Sequence, residues 1–147
     1  MSFFTRRATV NWKGNLLEGA GEAKAGSGAF SLPVKFPKRI SAEAEGETSP
    51  EELIAAAHAT CYQMVVANVL TKSNASFQGS SVTCTVVGEK SDAGLKIVSS
   101  ELAVTVQGLT GMDAATFAKT AADAEGKCPV SNAMRGNVAI TVKASVK

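Results

Sequence analysis

Along this chain apolar positions alternate with polar ones in some stretches and crowd together in others, which separates strands from helices. Ala8, Val10 and Trp12 fall on one side of an extended segment, so a first strand is expected there. Lys13-Gly14-Asn15 makes a turn, and a second strand follows over about Leu16 to Lys24. Ala25 to Gly28 is loop, and a short extended piece is expected around Leu32 to Ile40. Ser49 then suits a helix N-cap, Pro50 the first helical position, and Glu52 the third position of a capping box. That helix should run to about Lys72 or Asn74. Val82, Cys84 and Val86 alternate within Phe77–Lys90, and Leu102, Val104 and Val106 within Lys96–Gln107, with a turn at Ser91 to Gly94 between the two strands. Asp113 can cap a helix over Ala114–Glu125 that stops at Gly126, Pro129 can open a short helix, and Val138, Ile140 and Val142 alternate in a strand over Asn137–Val146. The order β-β(-β)-α-β-β-α-α-β predicts an α+β fold with antiparallel hairpins.

The first long helix departs from the usual single stripe. Small and apolar residues surround it on nearly every side, which predicts a helix buried all round. One sheet in one chain has difficulty covering such a helix, so a second subunit is expected to do so. The stretch Leu53 to Leu70 is interrupted by His58, Thr60, Gln63 and Asn68, which fits a buried helix better than a membrane span.

Composition narrows the function class. A chain of 147 residues with 45% hydrophobic and 19% charged residues fits one globular domain, 1–147. The net charge is +2 and aromatics are 5%, with no dense basic stripe, which argues against nucleic-acid binding. The opening MSFFTRRATV lacks the apolar core of a signal peptide, and three cysteines are an odd number for a disulfide framework. Reduced thiols in a cytoplasm are the expectation.

Each cysteine is first of all a candidate small buried hydrophobe. Cys84, in phase with Val82 and Val86 on a strand, fits that description. Cys128 lies at a loop-to-helix junction beside Lys127, where free N–H groups and the helix dipole favour a thiolate. Cys61 is about ten residues into its own helix, beyond the reach of that helix's N-terminus. If Cys61 reacts, a cation from elsewhere must hold its thiolate. An arginine suits this best, since it stays charged when buried and can grip a carboxylate at the same time. Arg39 is the candidate, against the alternative of a solvated charge beside Lys38.

The stretch from Thr48-Ser49-Pro50-Glu51-Glu52 through Ala57-His58-Ala59-Thr60-Cys61, with Gly126-Lys127-Cys128-Pro129-Val130-Ser131 later, resembles the osmotically inducible protein C family and the related organic hydroperoxide resistance proteins. The resemblance extends over the whole chain in length and element order. It implies an intertwined homodimer with the first long helix central, a peroxidatic cysteine at Cys61 and a resolving cysteine at Cys128. It also implies an arginine–glutamate pair holding the peroxidatic thiolate, with the glutamate at Glu51. Arg39 matches the osmotically inducible branch, whereas an N-terminal arginine, Arg6 or Arg7 here, would match the other.

Glu51 and Cys61 are ten residues apart on one helix, so they are separated by roughly 15 Å along its axis. A two-fold axis between paired helices could bring Glu51 of one subunit to Cys61 of the other. The function expected from the resemblance is reduction of organic hydroperoxides, and of hydrogen peroxide. Cys61 would become a sulfenic acid, Cys128 would resolve it as an intrasubunit disulfide, and a dithiol, such as a lipoyl protein, would restore both. No cofactor is implied. Met64, Val65, Phe36 and Phe117 are candidate pocket walls. Glu52 is assigned to capping, and His58 to a satisfied helix histidine outside the site. A zinc site fails for want of C-x-x-C or H-x-x-H spacing. The remaining alternative is a non-enzymatic stress-response binding dimer with structural cysteines.

Overall fold

A computed structural model describes residues 1–147 and divides them into two compact units, Met1–Leu53 and Ile54–Lys147. The first holds an antiparallel sheet in the order β1 (Ala8–Lys13), β2 (Ala20–Ala25), β3 (Ser31–Val34). Trp12 pairs with Gly21 across β1 and β2, and its ring occupies the space where a Cβ on Gly21 would stand. The second strand begins later than the pattern predicts. Asn15 accepts at Oδ1 from the backbone N–H groups of Leu17 and Glu18, a side-chain-closed turn that takes Leu16 and Leu17 out of the strand. The extended piece expected to reach Ile40 stops at Val34. It gives way to a one-turn helix α1 (Phe36–Arg39), whose first turn accommodates Pro37 because the missing N–H would have had no partner there.

A backbone hydrogen bond from Thr48 to Pro33 and a bridge between Val34 and Thr48 tie the far end of this segment back to β3. The long helix α2 (Pro50–Lys72) starts two residues later. Ser49 Oγ accepts from the N–H of Glu52 at 3.1 Å, which is the expected cap. Only half of the capping box forms. The Glu52 carboxylate takes the Thr48 hydroxyl at 2.7 Å instead of the Ser49 N–H.

In the second unit, β4 (Gly79–Ser91) and β5 (Gly94–Gln107) form the expected long hairpin, with a bulge at Val87/Gly88. The last strand, β6 (Ala139–Val146), departs from the antiparallel sheet pairing expected, since it lies parallel to β5. The intervening helices, α3 (Ala114–Glu125) and α4 (Pro129–Met134), form the crossover that a parallel pair requires. Asp113 caps α3, accepting from the N–H of Thr116 at 2.7 Å.

The core of this unit joins Tyr62, Val66 and Leu70 of α2 to Leu102, Val104 and Val106 of β5 and to Phe117, Ala121 and Ala124 of α3. Burying each large apolar side chain here contributes about 1.5–3 kcal/mol. The fully buried residues of α2 are His58, Tyr62, Val66 and Leu70, every fourth position, which is one stripe of the helix. Within a single chain α2 is therefore not buried all round. One sheet covers one face, and Ala56, Ala57, Thr60 and Met64 stay exposed. By length and composition α2 could cross a bilayer, but its stripe packs against a sheet, as a globular core helix does.

Candidate functional site

The four candidate residues form two pairs, one in each compact unit. In the first, α1 ends at Arg39, and Glu51 is the second residue of α2. The guanidinium grips the carboxylate with two of its nitrogens: Arg39 Nη2 donates to Glu51 Oε1 at 2.7 Å, and Nε lies 3.1 Å from Oε2. The Arg39 hydrogen bond holds the Glu51 carboxyl below its ordinary range, against the raising effect of burial. The same bond raises Arg39. The pair forms here because the β3–Thr48 bridge closes the chain between α1 and α2, which brings the two residues together across the loop.

In the second unit, Cys61 on α2 is half-buried and Cys128 is completely buried, and both are free thiols. Burial is the largest influence on Cys61 and pushes its thiol up, and a hydrogen-bonding interaction with Cys128 pushes it further. The backbone N–H of Val130 pulls the other way. The sequence places Cys61 beyond the reach of its own helix's N-terminus and Cys128 at the start of the next helix. Cys128 is the N-cap of α4, with extended backbone, and its sulfur makes no capping hydrogen bond. The N–H two residues inside that cap, at Val130, favours the Cys61 thiolate instead. Val130 and Cys61 lie on different helices, so this influence leaves no trace in the spacing within α2.

Cys84 sits half-buried on β4, its Sγ 3.2 Å from Ser100 Oγ and 3.8 Å from His58 Nδ1, and burial raises its thiol. It behaves as the strand cysteine that its phase implied. His58 is fully buried, and both of its ring nitrogens are hydrogen-bonded to serine hydroxyls. Burial lowers its pKa, opposed by Glu125. Of the candidate pocket walls, Phe117 belongs to the core at 1% exposure, whereas Met64 is 68% exposed. Val65 and Phe36 are half-buried. No cluster of three or more His, Cys, Asp and Glu side chains is arranged to hold a metal ion.

Two small sheets and a long central helix, with Cys61 packed against the core that contains Cys128, define an α+β protein. The family model described as OsmC-like protein matches residues 42–143, and the chain belongs to that family. The chain is 32% identical to the Peroxiredoxin OsmC of Escherichia coli over 92% of this chain and 93% of the relative. It is 29% identical to an Organic hydroperoxide resistance protein-like 2 of Staphylococcus saprophyticus, over 80% of this chain and 81% of the relative. Among solved structures, an organic hydroperoxide resistance protein OsmC from Legionella pneumophila superposes with a TM-score of 0.78 at 26% identity, covering 100% of this chain and 99% of the other. OhrB of Bacillus subtilis gives 0.76 at 25% identity, covering 97% and 99%.

Proposed function

We propose that this chain is a cysteine-based hydroperoxide reductase that works as a cytoplasmic homodimer in defence against oxidative stress. The observation that carries the proposal is the packing of the half-buried Cys61 against the core that contains the buried Cys128. One sulfur can react while the second stands in the same cluster to resolve it. Kinship with proteins named for peroxiredoxin activity and for organic hydroperoxide resistance supports the substrate class.

The Cys61 thiolate attacks the distal oxygen of a hydroperoxide, the O–O bond breaks, and the leaving alkoxide takes a proton to depart as the alcohol. Cys61 is left as a sulfenic acid. The Cys128 sulfur then attacks the Cys61 sulfur, an S–S bond forms, and the hydroxyl leaves as water with the Cys128 proton. An external dithiol, free or carried on a lipoyl protein, restores both thiols by exchange and becomes a disulfide itself.

Arg39, oriented by Glu51, holds the Cys61 thiolate in this scheme. Because Glu51 and Cys61 are about three turns apart on one helix, the cation is supplied by the partner subunit. The bidentate grip means that Arg39 and Glu51 are delivered as one unit. The exposed Met64 on α2 and the exposed Val10, Trp12 and Leu16 of the first unit are surface that a second copy would cover. The whole chain, 1–147, then works as one domain within the dimer.

Thiol titration before and after one equivalent of cumene hydroperoxide tests the scheme. Loss of two thiols per chain is the expected result, and no loss would leave a binding dimer with inert cysteines. Cys61→Ser should abolish peroxide consumption, while Cys128→Ser should allow one turnover followed by over-oxidation. Sustained multi-turnover activity in Cys61→Ser would sink the scheme.

A further inference from the structure

Four elements of the second unit meet at one buried imidazole that the proposed chemistry leaves unused. His58 Nδ1 on α2 lies 2.7 Å from Ser100 Oγ on β5, and Nε2 lies 2.7 Å from Ser131 Oγ on α4. Cys84 Sγ on β4 extends the row, 3.2 Å from Ser100 Oγ. His58, Ser100 and Ser131 are all completely buried.

The position of α4 depends on this row. At six residues it is too short to hold its own shape. Ser131 is its one fully buried side chain, and the hydrogen bond of that side chain goes to His58. The spacing then matters. His58 and Cys61 are three residues apart on α2, and Cys128 and Ser131 are three apart at the start of α4. Residues three apart share a helix face. The hydrogen bond between His58 and Ser131 thus joins the two helices one turn from the positions of Cys61 and Cys128, and Cys61 packs against the core that contains Cys128.

We propose that His58 is a positioning residue for the thiol pair, fixing α4 so that Cys128 is held against Cys61. A neutral imidazole suits the task, because it offers one donor and one acceptor and each serine hydroxyl can take the complementary role. Burial favours that neutral form. The inference rests on the proposed function only for the use made of the pair. The positioning itself can be measured without a peroxide.

The test is the rate at which diamide, which takes up the two thiol hydrogens with their electrons, closes the Cys61–Cys128 disulfide in the full-length protein. Peptide mapping identifies the linkage, and two matched pairs of variants are compared. Ser131→Ala cuts the link to α4, whereas Ser100→Ala cuts the other hydrogen bond of the same imidazole. An asparagine amide reaches about as far as Nδ1 and a glutamine amide about as far as Nε2, so His58→Asn keeps the Ser100 contact and His58→Gln keeps the Ser131 contact. Ser131→Ala and His58→Asn should close about tenfold more slowly, as expected when a reacting group loses its positioning. Ser100→Ala and His58→Gln should stay within about threefold of the native rate, since α4 keeps its anchor. Equal slowing within both pairs, or no slowing in either, overturns the proposal. So does failure of the native protein to form this linkage. If Ser131→Ala does not fold, the two His58 variants decide. Closure with diamide but no thiol loss with cumene hydroperoxide would refute the peroxidase reading and leave the positioning result standing.

Discussion

Replacing Val130 by proline would remove a single N–H from the thiol site. Position 130 is the second residue of α4, and its N–H makes no hydrogen bond within the helix. The fold already accepts proline at the same point of a helix, at Pro37 in α1. What the substitution takes away is the backbone N–H that favours the Cys61 thiolate. A hydrogen bond to a charged acceptor contributes about 1.5–3 kcal/mol. The low end applies because Cys61 is only half-buried, so water can replace part of the bond. A loss of about 1.4 kcal/mol leaves roughly a tenth of the thiolate at neutral pH, and iodoacetamide, which reacts with the thiolate, should alkylate Cys61 about tenfold more slowly. The assay is the pH dependence of that alkylation in a Cys84→Ser, Cys128→Ser background. The direction of change separates the two ways the variant could act. If the N–H is what helps the thiolate, the titration of Cys61 moves up. If proline merely loosens α4, Cys61 loses its burial, which is the largest cause of its raised pKa, and the titration moves down toward the ordinary 9.0. A downward move, or none, refutes the role given to Val130.

Other outcomes are expected elsewhere in the molecule. Glu51→Gln breaks the grip on Arg39 and should cost about 0.5–1 kcal/mol in urea denaturation at neutral pH. Because the folded pKa of Glu51 is lowered, its contribution is present above the ordinary 4.5 and fades as pH falls through the lowered folded value. Native and variant stabilities should therefore converge in acid, and an undiminished gap there contradicts the pairing. Tyr62 is the only tyrosine and its hydroxyl donates to the Ala121 carbonyl at 2.6 Å, with burial raising its pKa. Tyrosinate absorbance should therefore appear only when the protein unfolds in alkali, and Tyr62→Phe should cost about 1–2 kcal/mol. Asp113→Ala should cost about 1 kcal/mol by thermal melt through loss of the α3 cap. Light scattering at micromolar concentration should give twice the 15.1 kDa chain mass, and a monomer would count against the proposed partner subunit.

Much of this arrangement is legible in the residues, for identifiable reasons. Ser49 and Asp113 accept from backbone N–H groups three residues on, and Pro50 suits the first helical position, so the starts of α2 and α3 can be read locally. Alternation over Val82–Val86 and Leu102–Val106 shows which face of each strand is buried. Alternation over Val138–Val142 says as much for β6, but not which strand it joins or in which direction, so the parallel pairing is invisible until the sheet is seen. Leu16 and Leu17 look like strand residues by hydropathy, and the Asn15 side chain overrides them. At the candidate site, cysteine chemistry points to the segments of Cys61 and Cys128, and the Pro129 signal to the start of α4. The Val130 N–H cannot be read in the same way, because a backbone group carries no residue-type signature. His58 reads as a satisfied helix histidine, and it is one. Its partners on β5 and α4 are far along the chain, so the join it makes between those elements has no local trace.

The parallel pairing of β5 with β6 also bears on the order of events in folding. The β4–β5 hairpin closes through neighbouring residues such as Ser91 and Gly94, whereas Ser99 must find Ala139 across the whole α3–α4 connection. Contacts of such long sequence separation form slowly, because the loop must close before they contribute. On the ribosome β5 emerges with one side paired by β4 and the other a bare row of N–H and C=O groups, a template for unwanted strands until β6 arrives. The interval of exposure is set by how readily α3 docks and carries the chain back across the sheet. The same crossover that holds Cys128 in the native protein is thus the step that ends the vulnerable stage of its synthesis.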